Sequence, residues 1–304
     1  MTPRQSTRST DAPPPRLTYQ QAVDYLYPRT TTIKFGLERT ERLLESLGSP
    51  HRVVPVVHVG GTNGKGSVTA LVAAALEAAG WRVGTYTSPH LIDFRERITV
   101  GGVPISEAAV AMWTERLLPE IEGIEATFFE ASTAIAFADL AARGAEIAVV
   151  EVGLGGRLDS TNVVRPLVSG ITKIAMDHQK YLGDTLEAIA REKAWIAKPG
   201  APFVIGERDS EVVEVLRAEA KRAIAALGPA ARPDIRVLPA DYLWAGPLGL
   251  LGPHQRRNAA VAHGILMALP EPYRPDRPAI EAGFRDAFVP GRLDRRGRWL
   301  FDVA

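Results

Sequence analysis

The amino-acid sequence predicts an α/β fold, a doubly wound and mostly parallel sheet flanked by helices. Short apolar runs typical of buried parallel strands alternate along the 304 residues with segments of helical periodicity. The crossovers between these runs are about 20–30 residues long, enough for a helix and its connections. Polar residues follow several of the apolar runs directly, and sheets of this kind bind ligands at that edge. We therefore expect a site at the carboxyl ends of the strands.

Composition restricts the class of protein and of partner. Hydrophobic residues make up 46% of the chain and charged residues 23%, which is typical of a globular protein. The 36 basic residues nearly cancel the 35 acidic ones, which argues against nucleic acid as a partner. The chain contains no cysteine, so its chemistry uses neither thiolate metal ligands nor a cysteine nucleophile.

The sequence shows no sign of a membrane segment or a secretory signal. No apolar run approaches the roughly 18–20 residues that a membrane span needs. Residues 1–16 are rich in Ser, Thr, Pro and Arg and lack an apolar core, which predicts a disordered tail. We therefore expect a cytoplasmic protein that has no membrane partner.

The first strand, turn and helix predict a phosphate-binding unit. An apolar run at residues 53–59 leads into the glycine-rich stretch HVGGTNGKGS at residues 58–67, and apolar residues then recur at helical spacing up to Gly80. Backbone N–H groups of the turn, the start of the helix and the charge of Lys65 would hold phosphates, and Ser67 would ligate Mg²⁺. The spacing differs from the standard G-x-x-x-x-G-K-[ST], so the alternative is an ordinary glycine-rich turn. Lysine, hydroxyl, strand and helix together favour a nucleoside triphosphate site.

The other elements follow from the same patterns. Residues 17–47 predict helical pieces broken by Pro28. Further strands are expected at residues 82–87, 147–150, 167–174 and 202–205, with a last one beginning at Trp299. Helices are expected at residues 106–118, from 128 to Gly144, after a cap at Asp184, and at 209–227. Residues 94–102 predict a charged and mobile flap, and the prolines between 269 and 290 predict the approach to a domain boundary.

Four polar residues fall at the ends of successive predicted strands: Ser67, Ser88, Glu151 and His178. Each alone has an ordinary explanation, since a histidine or glutamate after a strand is commonly hydrogen-bonded or solvated. Together they converge on one edge of the sheet beside the predicted phosphate site. Hydroxyl, carboxylate and imidazole groups suit a Mg²⁺ site there.

Several motifs together resemble the folylpolyglutamate synthase and dihydrofolate synthase family, a branch of the Mur-type ATP-dependent amide-bond ligases. The motifs are GTNGKGS at 61–67, TSPHL at 87–91, FRERI at 94–98, FFE at 128–130, EVGLGGRLD at 151–159, DH at 177–178 with LGDT at 182–185, EKA at 192–194, HQRRN at 254–258 and PGR at 290–292. The resemblance runs from about Leu17 to the end of the sequence. It implies that the glycine-rich unit is a P-loop of the Mur-ligase type.

The resemblance implies an activity. ATP would phosphorylate a substrate carboxylate, and the amine of L-glutamate would attack the acyl phosphate to form an amide. The acid would be dihydropteroate, a reduced folate carrying glutamates, or both. The partners would be these small molecules, and the chain would act as a monomer.

The resemblance also implies roles for individual residues. The nucleotide would bind to Gly61, Thr62, Asn63, Gly64, Lys65, Gly66, Ser67, Asn258, Arg292 and Asp302. Ser67 and Glu151 would hold one Mg²⁺, and Ser88 and His178 a second, with Lys193 carbamylated and contributing to the metal cluster. Lys65, Lys193 and His178 would be the catalytic residues. Thr127, Phe129, Asp159 and Ser160 would contact the pterin-bearing substrate.

The resemblance further implies a domain organisation. Residues 17–292 would form the ATP-binding domain, and residues 293–304 a linker and the first strand of an incomplete C-terminal ligase domain. FDVA at 301–304 resembles the start of the family's D-x-A-H-N-P segment, which opens that domain. We therefore expect this chain to bind ATP but to turn over poorly. Lys173 and Trp195 depart from the family pattern, which usually has Asn and Gly there.

Three other functions are weighed against this one. Another Mur-type ligase, such as one acting on a peptidoglycan precursor, would share the P-loop, but the FFE and LGGRLD segments favour the folate branch. A catalytically silent ATP-binding fragment would explain the end of the sequence. A dinucleotide-dependent dehydrogenase fits poorly, because Gly153-Leu154-Gly155-Gly156 lacks the final glycine of G-x-G-x-x-G.

Overall fold

The computed structural model describes residues 16–31, 34–228 and 230–302. An eight-stranded sheet with the order β4-β3-β2-β5-β1-β6-β7-β8 forms its centre. Its strands are β1 (Val56–Gly60), β2 (Val83–Tyr86), β3 (Ile98–Val100), β4 (Val103–Pro104), β5 (Ile147–Glu151), β6 (Val168–Ile171), β7 (Phe203–Ile205) and β8 (Ile235–Val237). All neighbours run parallel except β2, β3 and β4, which form an antiparallel edge. The predicted α/β fold is confirmed.

The strand order brings the ends of distant segments together. β1 lies between β5 and β6, and the register aligns Val59 with Glu151 and Gly60 with Ile171. β2 lies on the other side of β5, with Tyr86 opposite Val150. The carboxyl ends of these strands therefore form one edge, at the position where doubly wound sheets bind ligands.

Helices cover both faces of the sheet. They are α1 (Tyr19–Leu26), α2 (Glu38–Ser46), α3 (Lys65–Ala78), α4 (Glu107–Gly123), α5 (Phe128–Ala142), α6 (Gln179–Leu182), α7 (Leu186–Ala194), α8 (Ser210–Leu227), α9 (Gln255–Ala268) and α10 (Arg277–Asp286). The face with α3, α9 and α10 packs on Val57, Val59 and Val149. The opposite face carries two clusters, one from α1, α2, α4 and α5 and one from α7 and α8. Alternate residues of the strands thus enter different cores.

The predicted flap is wrong. Phe94–Arg97 forms a 3-10 turn, and β3 and β4 follow as the antiparallel edge of the sheet. Phe94 and Ile98 are fully buried in the core beside α5. Apolar contacts therefore hold this charged segment in place, and Arg95 pairs with Asp93 at its surface.

Several boundaries also differ from prediction. α4 continues five residues beyond Leu118, with Pro119 inside the helix. α7 is capped by Thr185 rather than Asp184, because Thr185 has extended backbone and its hydroxyl accepts from the N–H of Ala188. β6 ends at Ile171, before the predicted residue 174.

The proline-rich stretch does not interrupt the fold. It contains α10, which packs on α3 so closely that a Cβ at Gly283 would lie 2.5 Å from backbone atoms of Ala74. Beyond it, β9 (Asp294–Arg296) and β10 (Trp299–Phe301) form a separate antiparallel hairpin. The predicted tail at residues 1–16 lies outside the described residues except for Arg16. Among the described helices, none is long and apolar enough to cross a membrane.

Candidate functional site

The glycine-rich turn joins β1 to α3 at the carboxyl edge of the sheet. Gly61 and Gly64 have φ values of +135° and +91°, a conformation that favours glycine, and Gly64 is the residue before α3. The N–H groups of Thr62 and Asn63 donate to the carbonyl of Lys173, at 2.7 and 3.3 Å. The N–H groups of Thr62 and Asn63 thus attach the turn to the segment after β6. They are not available to a phosphate.

The start of α3 supplies the open N–H groups. Those of Lys65, Gly66 and Ser67 have no acceptor among the described residues. They form the first turn of a 14-residue helix, where the dipole favours an anion. The turn can therefore receive a phosphate at the helix terminus, with Lys65 beside it.

Lys65 and Glu151 face each other across the strand ends. The Nζ of Lys65 donates to the carbonyl of Thr62 at 3.1 Å and lies 4.0 Å from Oε1 of Glu151. The other oxygen of Glu151 accepts from the backbone N–H of Ser88 at 3.3 Å. Lys65 at the start of α3, Ser88 after β2 and Glu151 at the end of β5 thus meet at one edge of the sheet.

Glu151 is a buried carboxyl, with a relative exposure of 5%. Burial raises its pKa to about 7, and the charge of Lys65 and the hydrogen bond from Ser88 oppose this rise. A divalent cation at this position would compensate the cost of burying the carboxylate.

Ser67 is tied to helix α9 through Gln255. The Nε2 of Gln255 donates to the Ser67 hydroxyl at 3.2 Å, and the Oε1 of Gln255 accepts from Asn258 at 2.9 Å. Asn258 lies against the glycine-rich turn, since a Cβ at Gly64 would be 2.5 Å from its Oδ1. Gln255 was not among the predicted site residues, although its place in the HQRRN motif could have suggested a role.

Lys193 lies beneath the glycine-rich turn. Its Nζ donates to the carbonyl of Gly61 at 3.0 Å, and the side chain is buried. Burial lowers the pKa of Lys193 to about 8, and the nearby charge of Lys65 acts in the same direction. Trp195, one of the departures from the family pattern, has its ring 6.0 Å from the guanidinium of Arg157.

His178 is set apart from this group. Its side chain is 53% exposed, its backbone is left-handed with φ +47°, and its Nε2 lies 3.6 Å from a carboxylate oxygen of Asp177. Among the described residues, no cluster of three or more His, Asp or Glu side chains could hold a metal ion by itself. The structure brings together Lys65, Ser67, Ser88 and Glu151, but it does not join His178 to them.

Two of the residues predicted for the pterin-bearing substrate, Thr127 and Phe129, lie at the start of α5. Thr127 caps α5 in a reciprocal bond with Glu130. The ring of Phe129 stacks on Tyr86 and fills the space at Gly153, where a Cβ would lie 2.3 Å from the ring. Phe129 is therefore held beside the β5 end and its following loop.

Asp159 and Ser160 are almost fully buried. Asp159 accepts from the N–H groups of Leu154 and Thr161 and from the Thr161 hydroxyl. The same hydroxyl is 2.8 Å from Nε2 of His58, a buried residue of β1. Burial lowers the pKa of His58 to about 3, so this ring is neutral in the fold. The Asp159 carboxylate is thus held by a series of hydrogen bonds that runs through Thr161 to His58, and this series was not predicted from the sequence.

The two remaining predicted nucleotide residues come from the end of the described chain. Arg292 is exposed, and its charge acts with that of Lys65 to oppose the raised pKa of Glu151. Asp302 accepts from the N–H of Leu293 at 3.2 Å and closes the β9–β10 hairpin. Its role in binding nucleotide stays a prediction.

The arrangement fits a magnesium–nucleotide complex. It offers one hydroxyl and one buried carboxylate as hard oxygen ligands, a lysine, and open N–H groups for phosphate oxygens. The remaining ligands of the ion would come from phosphates and water, as is usual for Mg²⁺.

Comparison with known proteins identifies relatives of the chain. Residues 59–235 match the Mur ligase middle domain family. The chain is 38% identical over 266 residues to the dihydrofolate synthase/folylpolyglutamate synthase of Bacillus subtilis, covering 80% of this chain and 62% of that one. This chain therefore spans less than two thirds of that relative's length.

Solved structures show the same likeness. Escherichia coli FolC in complex with DHPP and ADP matches with a TM-score of 0.82 and 32% identity, over 96% of this chain and 72% of that one. A bifunctional folylpolyglutamate synthase/dihydrofolate synthase with Mn, AMPPNP and L-glutamate bound matches with a TM-score of 0.79 and 30% identity, over 96% of this chain and 72% of the other.

Proposed function

Because the chain belongs to the folylpolyglutamate synthase and dihydrofolate synthase family of Mur-type ligases, we propose that it takes part in ATP-dependent ligation of L-glutamate to a folate-type acid. The acid would be dihydropteroate, a reduced folate or both. The observation that carries this proposal is the approach of Lys65 and Ser88 to the buried Glu151, at the edge of the sheet where Ser67 lies in the first turn of α3. Relatives that bind ADP or AMPPNP add support.

The proposed reaction begins with phosphoryl transfer to the substrate carboxylate. A carboxylate oxygen attacks the γ-phosphorus of ATP, the bond to the bridging oxygen breaks, and ADP leaves. Lys65 and the N–H groups at the start of α3 hold the phosphates and offset the negative charge that gathers on them. The amine of glutamate then displaces phosphate from the acyl phosphate.

The divalent ion would be held by Ser67 and Glu151, and it would draw charge from the phosphoryl oxygens. Gln255 keeps the Ser67 hydroxyl in place through its amide. We propose a second ion at Ser88 and His178, which requires His178 to turn from its exposed position, and carbamylation of the buried Lys193. Crystals grown with ATP analogue and Mn²⁺, and ¹³C NMR of protein in labelled bicarbonate, test these two points.

The surface formed by Thr127, Phe129, Asp159 and Ser160 would bind the pterin-bearing part of the acid. Phe129 offers its ring, and the buried Asp159 fixes the loop after β5 through Leu154 and Thr161. Both lie beside the residues that follow β5. The nearly balanced charge of the chain supports small-molecule partners, and we propose a cytoplasmic monomer.

Trapping the acyl phosphate tests the proposal without requiring glutamate ligation. The chain is incubated with Mg·ATP, dihydropteroate or tetrahydrofolate, and hydroxylamine, and the hydroxamate of the acid is measured by mass spectrometry. We expect hydroxamate that depends on ATP, Mg²⁺ and the acid together, its loss in Lys65→Ala and its retention in the exposed control Lys221→Ala. A folded chain that binds Mg·ATP and the acid but forms no hydroxamate would contradict the proposal.

A second assay addresses the amide itself. L-Glutamate replaces hydroxylamine, and the mass of the product shows whether a glutamyl residue has been added. Dihydropteroate and tetrahydrofolate are compared at equal concentration, so the product ratio identifies the preferred acid. A different amino acid incorporated in preference to glutamate would favour another Mur-type ligase.

A further inference from the structure

Arg97 is a buried arginine that has no counterion among the described residues. It ends the 3-10 turn before β3 and is only 7% exposed. Its Nε donates to Nδ1 of His90 at 2.7 Å, and its guanidinium carbon lies 5.1 Å from the centroid of the Phe128 ring. Within the described residues, no carboxylate comes within 4 Å of it, and its terminal nitrogens donate to no other group.

Other arginines of the chain show what a structural role looks like. The guanidinium of Arg257 donates to the carbonyls of Gly206, Pro239 and Tyr242. That of Arg143 pairs with Asp139 and donates to two further carbonyls. The Arg97 side chain is buried as a whole, but its terminal nitrogens are not among the fully enclosed polar atoms of the described residues. They are therefore open at the surface of the site, unused by the protein and within reach of a ligand.

Two residues hold the Arg97 side chain in its orientation. Because Nε of Arg97 donates to Nδ1 of His90, that nitrogen is an acceptor and the proton of the neutral ring is on Nε2. Nε2 then donates to the Tyr27 hydroxyl at 3.0 Å. Tyr27 stacks on the same Phe128 ring, with centroids 5.6 Å apart. The guanidinium is thus held along one edge, which leaves the two terminal nitrogens as a fork.

Arg97 lies between the two halves of the candidate site. On one side its guanidinium contacts Phe128, which separates Thr127 from Phe129 in the predicted substrate surface. On the other, its carbonyl accepts from the N–H of Thr87, the residue before Ser88. Burial raises the pKa of Glu151, and after Lys65 and Arg292 the charge of Arg97 also opposes that rise. The charge of Arg97 therefore acts on Glu151, beside the predicted phosphate site.

We propose that the terminal nitrogens of Arg97 bind the carboxylate of the acid substrate, with His90 and Tyr27 as positioning residues. This rests on the proposed function, because it identifies the group that holds the reacting end of the acid. A planar guanidinium fork matches a carboxylate in a two-point contact. Such a contact would direct one carboxylate oxygen at the phosphate site before ATP is attacked.

The test compares dihydropteroate with its carboxamide in binding to the folded chain, without ATP or Mg²⁺. The two probes share the pteridine and the aromatic ring and differ only in charge at the reacting group. We expect wild type to bind the acid roughly 10- to 100-fold more tightly than the amide, the size expected for a hydrogen-bonded ion pair. Arg97→Met should remove this preference by weakening acid binding alone.

Further variants separate ligand binding from a structural effect. Arg97→Lys should retain part of the preference, and His90→Leu and Tyr27→Phe should each reduce it less than Arg97→Met does. Arg143→Met, which alters an arginine satisfied within the protein, is the matched control and should keep the wild-type ratio. Thermal unfolding and Mg·ATP binding establish that each variant is folded.

The outcomes distinguish the two proposals. Equal loss of acid and amide binding in Arg97→Met would assign Arg97 a structural role and overturn the inference. Equal binding of the two probes by wild type would also overturn it, even if no Arg97 variant folds. Binding of neither probe by a folded wild-type chain would instead contradict the proposed function, and the inference would fail with it.

Discussion

At the residue scale, Lys65 is the side chain on which nucleotide binding depends most. It is the only lysine of the glycine-rich turn and lies between the open N–H groups of α3 and Glu151. We expect Lys65→Ala to weaken Mg·ATP binding by about 2–3 kcal/mol, because a charge-assisted contact to phosphate is lost. Calorimetry measures the affinity, with Lys221→Ala, at an exposed position of α8, as the control. Unchanged affinity in folded Lys65→Ala would remove the main support for the phosphate site.

Gln255 provides a second test at this scale. Its amide joins Asn258 to the Ser67 hydroxyl without contacting phosphate in the proposed arrangement. We expect Gln255→Met to lower the Mn²⁺ affinity of the nucleotide complex by roughly 10-fold or more, since groups that orient metal ligands have effects of this size. Electron paramagnetic resonance measures free Mn²⁺ in the titration. Affinity equal to wild type would show that Ser67 does not depend on this amide.

His58 gives a prediction about pH and stability. Its folded pKa of about 3 lies below its unfolded value near 6.5, so the unfolded chain binds more protons between these values. The contribution of His58 to stability is therefore complete above pH 6.5 and decreases as the pH falls, by about 1.4 kcal/mol per unit. The raised pKa of Glu151 acts in the opposite sense between pH 4.5 and about 7.

A variant at His58 separates the effect of this histidine on the pH dependence of stability from the effect of Glu151. In His58→Gln, where the amide can still reach Thr161, the free energy of urea unfolding should depend less on pH between 4 and 6 than in wild type. The difference in slope is the measured quantity, and His254→Gln at an exposed position is the control. Identical slopes in wild type and His58→Gln would contradict a neutral, buried His58.

At the element scale, the packing of α10 on α3 fixes the helix that carries the phosphate site. Gly283 makes this possible, because a Cβ there would meet Ala74 backbone atoms at 2.5 Å. We expect Gly283→Ala to destabilise the fold by about 1–3 kcal/mol, as overpacking does, and to weaken nucleotide binding. Gly123→Ala at the end of α4, where nothing lies within 4 Å, is the control and should be neutral or slightly stabilising.

The measurement is urea unfolding of both alanine variants beside wild type. A Gly283→Ala chain as stable as wild type would mean that α10 can move away from α3 at little cost. The proposed link between this contact and the phosphate site would then fail.

Elements that could be predicted are those with a strong local pattern. An apolar run predicted β1, the glycines after it predicted the turn, and the apolar residues at helical spacing after Lys65 predicted α3. β8 gave no such signal, because its three residues are partly or wholly exposed. The edge strands β3 and β4 are short and follow a charged turn, and only the burial of Phe94 and Ile98 in the fold shows that they are ordered.

At the scale of the whole molecule, the site depends on which strands are neighbours. Glu151 was predicted near the phosphate site because parallel strands share a carboxyl edge, and the insertion of β5 between β1 and β2 places it beside both. The HQRRN motif could have drawn attention to Gln255, but its contact with Ser67 could not be predicted, since it exists only because α9 packs on α3. The same holds for His58 and Asp159, which are joined through Thr161 from different elements.

The edge formed by β1, β2 and β5 is proposed to bind a metal–nucleotide complex through Ser67 and Glu151. Crystals grown with AMPPNP and Mn²⁺ test it most directly, because manganese gives an anomalous signal and takes oxygen ligands like those of magnesium. We predict an anomalous peak within bonding distance of the Ser67 hydroxyl and the Glu151 carboxylate, with the γ-phosphate beside Lys65. A peak elsewhere, with the Glu151 carboxylate still accepting from Ser88 and paired with Lys65, would contradict this assignment of the metal site.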